Sequence, residues 1–235
     1  RQLENIEEAV NLLGYVGYLH KGENEFQMAL QYYDSAKNLS LEAGKEQSVA
    51  LIDAKLGSLY LDYENYKLAS ECYEEGLAIV KGRKEGMYVE PRLQMGLAAV
   101  KVRQGAYREA YEIYRKNVEF QKMVREDSAQ VVSLNLSGGC LYHLEEYQEA
   151  LSIFEEAMDL SQQIQFRQGI AKNYLSMSHV YSQLQQENIA GSYLDSAIYY
   201  FEKLTPNSNA LMKAYGEIGD EYRNQANLTE AIKFY

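Results

Sequence analysis

Six alanines, Ala29, Ala69, Ala110, Ala150, Ala190 and Ala231, recur at intervals of 40, 41, 40, 40 and 41 residues. A fixed period of this length marks a repeat array, in which each unit buries its apolar face against its neighbours and no single core grows with chain length. Other residues keep step with the ladder. Twelve positions before each alanine stand Gly17, Gly57, Ala98, Gly138, Ser178 and Gly219. Four positions after it come Tyr33, Tyr73, Tyr114, Phe154, Leu194 and Tyr235, and seven after it Ala36, Gly76, Asn117, Ala157 and Ala197. A small residue on one helix lets a second helix approach closely, and a large ring fills the space beside the contact. The repeating unit is therefore a helical hairpin.

Helical periodicity around the anchors places first helices near 2–20, 46–62, 90–104, 127–144, 167–184 and 208–225. Second helices fall near 24–42, 65–82, 106–123, 146–165, 186–204 and 227–235. Turns lie between them, at KGEN, YEN, QGA, LEE, QQE and QAN, where Asn, Gly or acidic residues suit caps. Only Pro91 and Pro206 interrupt 235 residues, as a nearly continuous helical chain requires. The result is one expected array over 1–235, with repeats near 2–44, 45–85, 86–125, 126–165, 166–205 and 206–235, the last truncated. The chain lacks an initiator Met and stops at Tyr235, about nine residues into a helix, so it reads as a piece of a longer protein.

Segments such as LGSLYLDYENYKLASECYEEGLAI and SGGCLYHLEEYQEALSIFEEAMDL resemble the tetratricopeptide repeat along essentially the whole chain, and the 40-residue period is similar to its long-helix subclass. The resemblance implies an all-α, right-handed α-solenoid of antiparallel helix hairpins. It implies a non-catalytic interaction role, either in scaffolds that bind extended peptides or in bacterial regulators that sense peptides or partner domains. Three residues depart from the pattern: Lys101 stands at an apolar core offset, Glu187 at the aromatic position before the anchor, and Asn117 at a small one. Carboxylate-clamp members of the family carry Lys and Asn at particular groove sites, which here hold mainly Gly, Ala, Met, Leu, Ser or Tyr. Binding of chaperone tails is not expected.

No phosphate-cradling glycine loop, HExxH, GxSxG or CxxC motif occurs. His20, His143 and His179 lie in different repeats, His20 at a core offset and the other two on the opposite face. Cys72 and Cys140 are far apart and without metal or redox spacing, so both read as small core residues. No enzyme activity, metal or cofactor is expected. The 22 tyrosines, with no tryptophan, are assigned mainly to interhelical packing.

In a tetratricopeptide superhelix the inner face of the first helices lines a concave groove. Offsets 18, 15, 14, 11, 8 and 7 before each anchor share that face. Those positions hold seven Lys or Arg against three Asp or Glu, whereas the whole chain has 23 basic and 34 acidic residues. A cationic concavity favours an acidic or carboxylate-bearing segment. The candidate peptide-binding residues are Tyr18, Lys55, Arg92, Arg103, Asn135, Tyr142, His143, Lys172, His179 and Arg223. Arg92 and Arg103 suit bidentate carboxylate contacts, Asn135 a peptide amide, and Tyr18 and Tyr142 amphipathic contact. Gly14, Ala54, Gly96, Ala99, Gly139 and Gly216 would leave room for a backbone.

The expected partner is a protein or peptide. A net charge of −11 and the absence of a basic stripe oppose nucleic acid. No apolar run is long enough for a membrane span. Compartment is not fixed by any signal, and the cytoplasm is the expected one. Self-association through Ile232, Phe234 and Tyr235 of the truncated last helix is a further expectation.

Overall fold

The computed structural model describes residues 2–83, 86–203, 215–216, 218–220, 222–223 and 228–234, with side chains described from Ile6 onward except those of Leu228 and Phe234. Every described element is an α-helix. They are α1 (Gln2–Gly22), α2 (Phe26–Glu42), α3 (Glu46–Asp62), α4 (Tyr66–Val80), α5 (Glu90–Arg103) and α6 (Tyr107–Val124). α7 (Asp127–His143), α8 (Tyr147–Gln163), α9 (Arg167–Gln183), α10 (Glu187–Glu202) and α11 (Leu228–Phe234) follow. These bounds reproduce the expected hairpins to within a few residues. The helix expected near 208–225 falls largely outside the described residues.

One joint recurs between successive helices. Asn24, Gly44, Glu64, Gly105, Arg125, Glu145, Gln165 and Gln185 all have φ between 56° and 76°, the left-handed conformation that ends a helix. The next residue closes the old helix with its N–H and opens the new one with its carbonyl. At the first joint Glu25 donates to the His20 carbonyl at 2.9 Å and accepts from Ala29 at 3.0 Å. Glu146 likewise donates to Leu141 and accepts from Ala150, and Gln186 donates to Tyr181 and accepts from Ala190. The anchor alanine thus sits one turn inside each second helix, and all six are buried.

The chain divides into two compact units, Arg1–Ile113 and Tyr114–Tyr235. In the first, Ala29, Tyr33, Ala36, Ile52, Leu56 and Leu59 form one buried cluster, and Ala50, Ala69, Tyr73, Val80, Leu93 and Val100 another. In the second, Ala171, Leu175, Leu194, Ala197, Phe201 and Ile218 pack together. The small-against-large register is literal. A Cβ added at Gly17 would lie 2.7 Å from the Tyr33 ring, one at Gly57 2.7 Å from Tyr73, and one at Gly138 2.5 Å from Phe154. These approaches are too close for any residue with a side chain unless the ring moves.

Four positions differ from the sequence expectation. Gly96 does not leave open space: a Cβ there would lie 2.2 Å from Tyr73, whose ring is wedged between glycines of α3 and α5. Gly14 faces Ile52 and the Lys55 stem, and Ala54 is buried, whereas Gly139 and Gly216 do border open space. His20 lies at the end of α1 and not in the core. Its ring stacks on Tyr32 with centroids 5.2 Å apart, and its Nδ1 is 2.5 Å from a Glu25 carboxylate oxygen.

Three departures from the repeat pattern find local solutions. Lys101 pairs with Glu109 at 2.8 Å, Glu187 is the exposed first residue of α10, and Asn117 is buried. The buried Gln121 amide, with its nitrogen turned toward acceptors, reaches Ser133 Oγ at 2.9 Å and the Asn117 carbonyl at 3.1 Å. One charged contact had no periodic signature. Asp53, fully buried on α3, is 2.7 Å from Lys37, which also meets Glu75 at 2.9 Å. Burial raises the Asp53 carboxyl above its ordinary value, and the lysine offsets only part of that rise.

Candidate functional site

Within the first unit, successive first helices are stitched by lysines. Lys55 on α3 donates to the Gly14 carbonyl of α1 at 3.2 Å. Lys21 at the end of α1 donates to the Ser58 carbonyl at 3.2 Å and to Ser58 Oγ at 2.5 Å, and it pairs with Asp62 at 2.8 Å. These contacts bring residues separated by about one repeat onto one surface. Tyr18, Lys21, Tyr33, Ala54, Lys55, Ser58, Tyr73 and Arg92 line a cavity of about 230 Å³.

The charges in this cavity are unequal. Lys21 is matched by Asp62, but no carboxylate among the described residues lies within ion-pairing distance of Lys55 or Arg92. Burial, and then the neighbouring Arg92 charge, lower the Lys55 pKa. Burial raises the Tyr33 phenol from 10.0 to about 12, so it remains an O–H donor across the ordinary pH range. The Lys55 ammonium also lies 5.9 Å from the Tyr33 ring centroid, within cation–π range. The cavity therefore combines two unmatched cations with phenolic donors on an aromatic wall.

The second unit repeats the seam with different chemistry. Asn135 Nδ2 on α7 donates to Asn173 Oδ1 at 2.9 Å and to Ser176 Oγ at 3.2 Å on α9. Asn135 and Ser176 occupy the same offsets as Gly14 and Lys55 in the first unit. Asn173, fully buried, continues the chain by donating to Ser161 Oγ, which donates to the Ala157 carbonyl. Val131, Val132, Asn135, Leu136, Phe166 and Lys172 border a cavity of about 210 Å³. Its walls are mainly apolar, with two amides, Asn135 and Gln168, and the Lys172 ammonium among the lining groups.

Tyr142, His143 and His179 form a separate aromatic group in this unit. The Tyr142 ring centroid lies 5.3 Å from that of His143 and 6.4 Å from that of His179. Desolvation lowers the His143 pKa. Of the expected site residues, the fold thus joins Tyr18, Lys55 and Arg92, then Asn135 and Lys172, then Tyr142, His143 and His179. Arg103 lies eleven residues beyond Arg92, roughly 16 Å along the same helix, and does not line the first cavity. Arg223 is exposed and pairs with Asp220 at 3.0 Å. Sequence reading missed Tyr33 and Tyr73 as lining residues because their offset marks them as core. Each does both: the ring packs on glycines while one edge faces the cavity.

Among the described residues, His20, Glu23 and Glu25 alone bring three metal-capable side chains together, and they are surface groups at a turn. No helix of the described residues is long and apolar enough to cross a membrane.

Residues 90–165 match the tetratricopeptide repeat family model. No curated protein matches the chain. Among solved structures the chain is similar to the apo form of RapI, at 18% identity and a TM-score of 0.71, covering 96% of this chain and 94% of that one. It also resembles a Rap protein complexed with competence and sporulation factor, at 15% identity and a TM-score of 0.72, covering 99% of this chain and 76% of that one. A third likeness is to a signal transduction ATPase with numerous domains and a tetratricopeptide repeat sensor, from Pyrococcus horikoshii. There the identity is 19% and the TM-score 0.77, covering 99% of this chain and 35% of that one. The ladder, the hairpin packing and these likenesses agree on a tetratricopeptide-like helical-repeat fold, and residues 90–165 carry the match to the tetratricopeptide repeat family itself.

Proposed function

We propose that this chain is a non-catalytic protein-interaction module whose first-helix face takes an acidic, extended segment or a partner helix. The observation that carries this reading is the pair Lys55 and Arg92, which share a cavity without a carboxylate partner among the described residues, in a chain whose net charge is −11. Keeping two like charges side by side is unfavourable, and an incoming anion relieves it. In the second unit the apolar cavity beside Val132, Leu136 and Phe166 suits a hydrophobic side chain, with Asn135 and Lys172 at its rim to orient a backbone.

Binding of an acidic peptide library to the wild type, Arg92→Glu and Arg103→Glu tests the reading, with helicity checked by circular dichroism. Arg92→Glu should weaken the selected peptides at least about tenfold, as expected for reversing a charge that meets a carboxylate. Arg103→Glu, outside the cavity, should do less. Unchanged binding by Arg92→Glu would sink the reading.

A ligand-sensing regulatory role is the second reading. It is supported by the likeness to a tetratricopeptide repeat sensor and to a Rap protein complexed with competence and sporulation factor. In that role the bound segment would change the packing between repeats, because each contacts only its neighbours and small rotations add.

A further inference from the structure

The cavity of the first unit can be specified beyond a preference for acidic segments. Its lining carries three cations and one carboxylate partner: Lys21 is neutralised by Asp62, which leaves Lys55 and Arg92 as two uncompensated positive charges. A carboxylate would neutralise one of them. A phosphomonoester carries about −1.5 to −2 charge near neutral pH and three strong acceptor oxygens, so it can neutralise both.

The donors are also distributed for a tetrahedral group. Lys55 spends one N–H on Gly14 and keeps two, and Arg92 has its whole guanidinium fork without an ion pair among the described residues. The Tyr33 and Tyr73 hydroxyls belong to rings that are almost entirely buried, so their positions are held by the glycine contacts of α1, α3 and α5. These donors come from four helices, α2 to α5, and converge on a space of about 230 Å³. Planar, monovalent carboxylates use fewer of them.

We propose that the cavity lined by Lys55, Arg92, Tyr33 and Tyr73 is a binding site for a phosphoryl dianion. The inference rests on the interaction-module reading only for its source, a phosphorylated side chain of the bound segment. Free phosphate shares the chemistry and is separated from it by the test.

The probe is inorganic phosphate, titrated into the isotope-labelled protein at low ionic strength and followed by the amide signals of α3 and α5, with acetate as the monovalent comparison. Phosphate should shift signals around Lys55 and Arg92 at concentrations where acetate does not. Lys55→Met and Arg92→Gln should each weaken the phosphate response at least about tenfold, a charge-assisted contact having been removed. Lys81→Gln, an exposed cation just after α4, should leave it unchanged. Arg92 is exposed, so its variant keeps the fold even where Lys55→Met loosens the seam.

The second arm compares phosphoserine peptides with the same sequences carrying glutamate. Tighter binding of the phosphoserine form, lost in Arg92→Gln, supports both the site and its source. Phosphate binding that depends on Lys55 and Arg92, with no peptide binding at all, keeps the anion site and removes the interaction-module reading. Equal responses to acetate and phosphate, or phosphate binding untouched by Arg92→Gln, overturn the dianion site whatever the peptides do.

Discussion

Ser178 Oγ on α9 donates to the carbonyl oxygen of Ala190 on α10 at 2.9 Å. It is the fifth repeat's occupant of the offset that is glycine in the first, second and fourth, and it meets the anchor alanine itself. The repeat has exchanged a ring packed on glycine for a hydrogen bond, with Leu194 where the others carry an aromatic residue. Ser178→Ala should therefore cost about 0.5–1.5 kcal/mol, the usual net worth of one such bond. Urea denaturation of the variant measures it, and an unchanged midpoint would mean the contact contributes nothing.

Adjacent glycines on α7 make a sharper contrast. A Cβ at Gly138 meets the Phe154 ring at 2.5 Å, while one at Gly139 meets nothing within 4 Å. Gly138→Ala should destabilise, by about 1–3 kcal/mol from overpacking, and Gly138→Leu by more. Gly139→Ala should stabilise by about 0.5–1 kcal/mol, because alanine loses less entropy in a helix. Thermal melts of the pair with opposite signs establish the register; melts of the same sign would refute it.

Six joints among the described residues place a residue with a side chain in the left-handed region, among them Gln165 at φ 56°. That conformation costs about 1–2 kcal/mol for residues other than glycine. Gln165→Gly should recover part of this, raising stability by up to about 1 kcal/mol after its own entropic cost. A fall in melting temperature would show that the Gln165 side chain contributes more than its backbone conformation costs.

Burial pushes the Cys72 and Cys140 thiols up from 9.0 to about 12. The folded protein therefore holds these protons more tightly than the unfolded chain. The stability they contribute is fully present below pH 9.0 and is lost as pH rises toward about 12. Tyr33, raised from 10.0 to about 12, adds in the same direction. Denaturant midpoints should fall steeply across that alkaline window. At mild alkaline pH both thiols should react with a disulfide reagent orders of magnitude more slowly than in urea, because little thiolate is present. Rapid labelling of the native protein would contradict the burial.

Much of the fold was legible in the chain because its rule is periodic. A contact that must recur in every hairpin writes itself as small and large residues at fixed offsets, and Ala29, Gly17 and Tyr33 announce the same packing that Ala150, Gly138 and Phe154 repeat. Individual substitutions within the pattern were less readable. Gly96 looked like a free surface position by its offset, yet Tyr73 fills it, because helical spacing tells which face a residue shares and not how far a neighbouring ring reaches across. The buried Asp53 had no signal at all, since its partner Lys37 lies sixteen residues away on another helix.

The amino-acid sequence by itself determined the order and pairing of the described helices, since these follow from local propensity and repeated spacing. Tertiary structure alone decided which charges of the first-helix face meet. Within the first unit, Tyr18, Lys55 and Arg92 came together while Arg103 does not line their cavity, and Lys21 found Asp62 while Lys55 and Arg92 found no acid among the described residues. Convergence of this kind depends on the stagger between packed helices, set by the depth at which rings such as Tyr33 and Tyr73 seat against glycine. No single helix carries that distance in its own sequence.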